Sequence, residues 1–113
     1  MQRGDIHFIH IHGATGREMQ KSRPGVIVSN EEHLDKAELV QVVLCSATND
    51  HALETHVHLQ STPVPSLAMC EHIYTVDRSR IGKHLGQATP AELEEIDRAL
   101  ALVLGLKLER GGT

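Results

Sequence analysis

The chain has 113 residues, enough for one domain with a single modest core and too few for a second. With one Phe and one Tyr, the core falls to Val, Ile, Leu and Ala, and an aromatic stacking platform for nucleic acid is not expected. The formal charge of -4 argues against a phosphate-rich ligand until its distribution is considered. Glu92, Glu94, Glu95 and Asp97 crowd one short segment, and setting those four of the fifteen acids aside leaves eleven against eleven bases. An acidic helix face can point away from a neutral or basic groove.

Cys45 and Cys70 are the only cysteines, and neither looks committed to a disulfide. The chain opens with no charged-then-apolar leader, so a cytoplasmic protein is expected. No apolar run approaches the roughly 18 to 20 residues a membrane helix needs, so no membrane partner is expected.

Residues 5–12, DIHFIHIH, are β-branched and aromatic and lie between Gly4 and Gly13, which predicts an opening strand. GATGREMQKS follows without apolar periodicity, a loop of the length usually kept for binding. Arg23 closes it. Pro24 leads into GVIVSN, a short buried-strand pattern, and EEHLDKAE reads as a charged turn before the strand LVQVVLCS at 39–46. THVHL at 55–59 alternates as a half-exposed strand, and SLAMCEHI at 66–73 follows the breakers Pro63 and Pro65.

Residues 77–86, DRSRIGKHLG, suggest a short helix capped by Asp77 with Ile81 and Leu85 four apart, weakened by Gly82. The last helix is better marked: Thr89 as N-cap, Pro90 at the first helical position and Glu92 three residues after the cap form a capping box. Leu93, Ile96, Leu100, Val103 and Leu104 then share one face, and Gly105 stands where a C-terminal cap belongs. Residues 107–113 read as a frayed tail. Strands without long intervening helices exclude a parallel α/β sheet. They leave a mainly β fold with α, a strongly curved antiparallel sheet or partial barrel carrying one C-terminal helix.

In order, the sequence gives RGDI, Gly16-x-Glu18, RPGVIVSN, the V-x-C-S of Val43 to Ser46, THV, and MCEHIYTVDRSRIGKHLG. It then gives a helix ending in ALVLGL. With the E-x-I-x-T-x-D-x-x-R set of Glu71, Ile73, Thr75, Asp77 and Arg80, this resembles the MazF/PemK toxin family from residue 3 to about 106. The resemblance implies an SH3-like barrel of the CcdB/PemK type and a homodimer. It also implies sequence-specific cleavage of single-stranded RNA and a MazE-like antitoxin able to fill the RNA groove. It assigns the chemistry to Arg23 of the RP motif and to Ser46 at the end of the following strand. The usual Glu-Gln-Ile-Arg is here Glu71-His72-Ile73-Tyr74, so substrate preference does not transfer.

RNA carries its own nucleophile, the 2'-hydroxyl. A ribonuclease has to align it, take its proton and stabilise charge on the phosphate, and no metal is obligatory. A guanidinium suits the last task because it stays charged and offers a planar fork of donors; Arg23 is the candidate, its bland alternative a surface ion pair. The Ser46 hydroxyl lies where a buried strand meets the polar SATND segment, with Thr48 the alternative if the loop is shifted. Glu18, Glu71, Thr48 and His72 are candidate RNA contacts, and whether a His or a Glu is the general base stays open.

Nine histidines include the pairs His10/His12 and His56/His58, each two apart on a strand face. Such pairs can chelate zinc, but no third ligand, HExxH or CxxC is marked, so neither metal nor cofactor is expected. The cysteines sit in apolar runs and read as small buried residues. The competing function is a non-enzymatic gyrase poison on the same fold, like CcdB, which would have no use for an Arg-Pro loop facing a strand-end hydroxyl.

Overall fold

The structure, a computed structural model, describes residues 1–11, 22–46, 53–62 and 66–107. The strands are β1 (Asp5–Ile9), β2 (Arg23–Ile27), β3 (Leu39–Ser46), β4 (His56–Leu59), β5 (Ser66–Asp77) and β6 (Ile81–Gln87). Two helices, α1 (Glu31–Leu34) and α2 (Pro90–Leu104), and a 3-10 turn at Arg78–Arg80 complete the chain. The strands form one sheet in the order β4-β5-β3-β2-β1-β6, with every neighbouring pair antiparallel.

The sheet is strongly curved. Ile6, Val26, Val43, Cys45, Val57, Leu59, Ala68 and Cys70, drawn from five strands, meet Ile96 and Ala99 of α2 in one core, with Leu85 of β6 packed against it. At one end the two outer strands converge: a Cβ on Gly86 of β6 would lie 2.1 Å from the carbonyl oxygen of Ser61, just past β4. Only a residue without a side chain permits that approach. Ile9, Ile11, Ile27, Leu34, Val40, Val42, Leu44 and Val76 form a second core on the other face, with Leu34 contributed by α1.

The motif residues outside the candidate site explain themselves as joints of this fold. In RGDI, Arg3 bonds the Val28 carbonyl and Asp97 of α2, Gly4 takes a positive φ of 95°, and Asp5 accepts the Gln2 amide. In VSN, buried Ser29 is held to Gln41, and Asn30 caps α1 by accepting the Glu32 amide. Arg78 donates to the carbonyls of Leu34 and Ala37, closing the end of α1.

The capping box of α2 is present as read, and Gly105 is left-handed at φ 68°. Buried Glu92 does more than cap, because its carboxylate also accepts the Gln60 amide and the Ser61 hydroxyl. Burial would raise its pKa, but hydrogen bonds from Ser61, Gln60 and Thr89 outweigh that and hold it below the ordinary glutamate value.

Four expectations change. EEHLDKAE is not only a turn, since its first half closes one helical turn behind the Asn30 cap. Residues 77–86 do not make a helix: after the 3-10 turn Ile81–Gln87 runs as an outer strand beside β1, because pairing there satisfies a backbone that Gly82 and Gly86 favour little as helix. The strand predicted at 66–73 continues to Asp77, giving β3 a partner along its whole length. Leu104 is exposed, as are Leu102 and Leu106, while Ala99 and Ala101 are buried, since Ile96, Ala99, Leu100 and Val103 take the core side of α2 and Leu104 falls at the edge of that face.

Candidate active site

Arg23 opens β2 and Ser46 ends β3. The β2–β3 register pairs Gly25 with Leu44 and Val26 with Val43, so continuing it by two residues sets Arg23 opposite Ser46. On the two strands Arg23, Gly25 and Ile27 share a face with Val42, Leu44 and Ser46, the face of the second core. Both side chains emerge half-buried at the rim of that core. The row extends on either side, from Ile9 of β1 opposite Arg23 to Leu67 of β5 opposite Ser46 and then His58 of β4.

Gly25 makes room for the close packing of this corner, because a Cβ there would lie 2.7 Å from the Ile9 side chain. Pro24 lies between β1 and β3 at the second position of β2, where its missing N–H removes one ladder bond. Among the described residues the Arg23 guanidinium has no hydrogen-bond or ion-pair partner. The bland alternative, a surface ion pair with a loop Glu, falls on Glu18, outside the described residues. A half-buried cation with unused donors beside a hydroxyl can bind an anion at the corner, such as one phosphate.

Glu71 and His72 lie elsewhere, on the stretch of β5 where its register with β3 shifts. The Glu71 carboxylate accepts the Thr55 hydroxyl and His56 Nε2, both at 2.7 Å, with His72 Nε2 3.8 Å away. Its desolvation raises the pKa, but the hydrogen bonds from Thr55 and His56 outweigh this and lower it. The Leu53 amide faces His56 Nδ1 at 3.4 Å, so the Nε2 nitrogen carries the proton shared with Glu71. Strand β3 separates this cluster from Arg23.

The sequence reading missed two histidines. His56, read only as part of a half-exposed strand, has a side chain 7% exposed and lines a groove of about 350 Å³ with Glu54, Glu95, Arg98 and Leu102. His10 shares a 2.6 Å hydrogen bond with Ser22, the residue before Arg23, one step along each strand from the Ile9–Arg23 pair and so on the opposite face of the sheet from the Arg23 side chain. Only the strand register could have shown this, since His10 and Ser22 are twelve positions apart across a loop. Glu18 and Thr48 lie outside the described residues. Cys45 and Cys70 are buried, and burial pushes both thiols up to about 12, which fits packing rather than nucleophilic chemistry.

The model of the PemK-like, MazF-like toxins of type II toxin-antitoxin systems matches residues 2–104. The chain belongs to that family. A MazF/PemK relative, the endoribonuclease MazF of Staphylococcus saprophyticus, is 26% identical over 111 residues, covering 94% of this chain and 92% of that protein. Among solved MazF/PemK-like structures, an endoribonuclease from a mycobacterial species superposes with a TM-score of 0.81 at 26% identity, covering 96% of this chain and 95% of the other. A mycobacterial endoribonuclease in complex with its cognate antitoxin gives 0.79 at 27% identity, covering 96% and 99%. Nothing in these likenesses favours a gyrase poison. Among the described residues of this MazF/PemK toxin, no helix is long and apolar enough to cross a membrane.

Proposed function

We propose that this toxin is a metal-independent endoribonuclease that cuts single-stranded RNA at the Arg23–Ser46 corner. The observation that carries the reading is the β2–β3 register, which aligns an Arg without a partner among the described residues with a strand-end hydroxyl on one face. The relatives named as endoribonucleases support the reaction class.

The substrate's 2'-oxygen attacks the adjacent phosphorus while a base takes its proton, and the 5'-oxygen leaves as the bond to phosphorus breaks. The Arg23 fork holds the non-bridging oxygens as negative charge grows on them, a contribution of about 3 kcal/mol for one well-placed donor group. The Ser46 hydroxyl hydrogen-bonds the same phosphate and fixes its orientation, with Thr48 the alternative hydroxyl. A His or a Glu takes that proton, with Glu18 among the candidates. Glu71 and His72 contact bases farther along the strand.

The chain acts as a homodimer in the cytoplasm, and a MazE-like antitoxin blocks the RNA groove. A cognate antitoxin bound to the mycobacterial relative supports that partner. The test is incubation of the purified protein with a long RNA in EDTA, followed by mapping of the ends. Fragments ending in 2',3'-cyclic phosphate at recurring sites are expected; intact RNA across several substrates overturns the reading.

A further inference from the structure

We infer that Asp5, His7 and His84 form a site for a divalent transition-metal ion of the zinc class, pinning the outer strand β6 to β1. The site shares no residue with the Arg23–Ser46 pair, although its His7 stands opposite Gly25 two positions along β1 from Ile9, and it contains neither of the histidine pairs that stand out in the sequence.

Asp5 and His7 are two apart on β1 and so point the same way, and the register sets His84 of β6 opposite His7. One ligand atom from each of the three residues lies within 4.8 Å of the others. The His7 and His84 rings meet edge to face with centroids 5.0 Å apart, and His84 Nε2 stands 3.8 Å from Asp5 Oδ1. Zinc bonds of about 2.0–2.2 Å in tetrahedral geometry place donor atoms roughly 3.3–3.5 Å apart, so a small turn of the exposed His84 ring brings the set into range.

The state of His7 is the stronger observation. Its Nδ1–H donates to the Gly82 carbonyl at 2.9 Å, which leaves Nε2 as the nitrogen with the lone pair. That Nε2 is buried and has no hydrogen-bond partner among the described residues. A buried acceptor without a donor is costly and rare, whereas an imidazole held through its other nitrogen by a carbonyl is the usual arrangement of a metal ligand. Asp5 is fixed in the same way, its two oxygens accepting the Gln2 amide at 2.7 Å and Gln87 Nε2 at 3.1 Å.

The donor set of two imidazoles and one carboxylate suits zinc, with water in the fourth position, and the exposed side of His84 is the way in. The site has a structural task available to it. The β1–β6 ladder shifts register on both sides of His7, and an ion would join the strands across that irregularity.

The experiment adds Zn²⁺ to the full chain stripped with EDTA and desalted, follows binding by calorimetry and melting temperature, and repeats the titration with Co²⁺. One ion per chain, a melting temperature raised by several degrees and the intense visible absorption of four-coordinate cobalt are expected. His84→Ala, a change at a half-exposed position, abolishes all three, whereas His58→Ala, at an exposed position on β4, keeps them. Absence of saturable binding, a pale six-coordinate cobalt spectrum, or unaltered binding by His84→Ala would overturn the site. RNA cleavage in EDTA is read separately, so either result leaves the ribonuclease reading to its own test.

Discussion

His56 Nε2 donates to Glu71 Oε2 at 2.7 Å while the Thr55 hydroxyl donates to the other oxygen, so two residues of the β4 edge hold one carboxylate of β5. This pairing keeps Glu71 ionised in conditions where a free glutamate begins to protonate. Because the folded pKa is lowered, the stabilisation is fully present above the unfolded value of about 4.3 and is lost as pH falls through the folded value. Carboxylate chemical shifts followed by NMR against pH will show Glu71 titrating below the exposed glutamates. In His56→Ala its midpoint moves up; a midpoint that stays put disproves the role of the pair.

Arg23→Ala should reduce RNA cleavage by about 100- to 1,000-fold, the loss expected for one charge-stabilising donor group, without changing the melting temperature. The side chain sits at the rim, so little packing is lost. Arg23→Lys restores only a fraction, because an ammonium keeps the charge but not the fork. Near-full activity of Arg23→Ala in a single-turnover assay rules the residue out of the chemistry.

Ser46→Ala removes one hydroxyl at the end of β3 and leaves the strand register intact. Cleavage should fall by at least about 10-fold at unchanged stability. If Ser46→Ala cuts normally and Thr48→Ala does not, the reacting hydroxyl lies two residues further on.

Glu92→Ala should cost about 2–3 kcal/mol, lowering the urea midpoint with an unchanged slope, since it removes the carboxylate half of the capping box and leaves the Thr89 and Gln60 amides and the Ser61 hydroxyl without their acceptor. Glu94→Ala, on the exposed side of the same helix, should move the midpoint far less. Equal effects would show that the cap contributes only locally. Glu92 carries the same sign of pH dependence as Glu71, stabilising above the unfolded pKa and failing as pH drops below it.

Cys45 and Cys70 should resist iodoacetamide at pH 8 in the native protein and react fully in urea, because both thiols stay protonated and buried until the core opens. Intact mass measured after timed labelling separates the outcomes. Rapid native labelling of either residue contradicts the packing described.

Local chemistry determined much of this protein directly from its sequence. The capping box at Thr89 and Glu92, the alternation of THVHL and the apolar run of LVQVVLCS each depend on neighbours within a few residues, and all three stand as read. The ordered motifs likewise carried the family. Tertiary structure decided what depends on partners distant in the chain. Ile81–Gln87 became a strand because β1 offered an unpaired edge, and Leu104 stayed exposed because Leu100 and Val103 take the core side of that part of α2. The alignment of Arg23 opposite Ser46, the capture of Glu71 by His56, and the gathering of Asp5, His7 and His84 arise from strand register, a long-range property that spacing along one strand cannot encode.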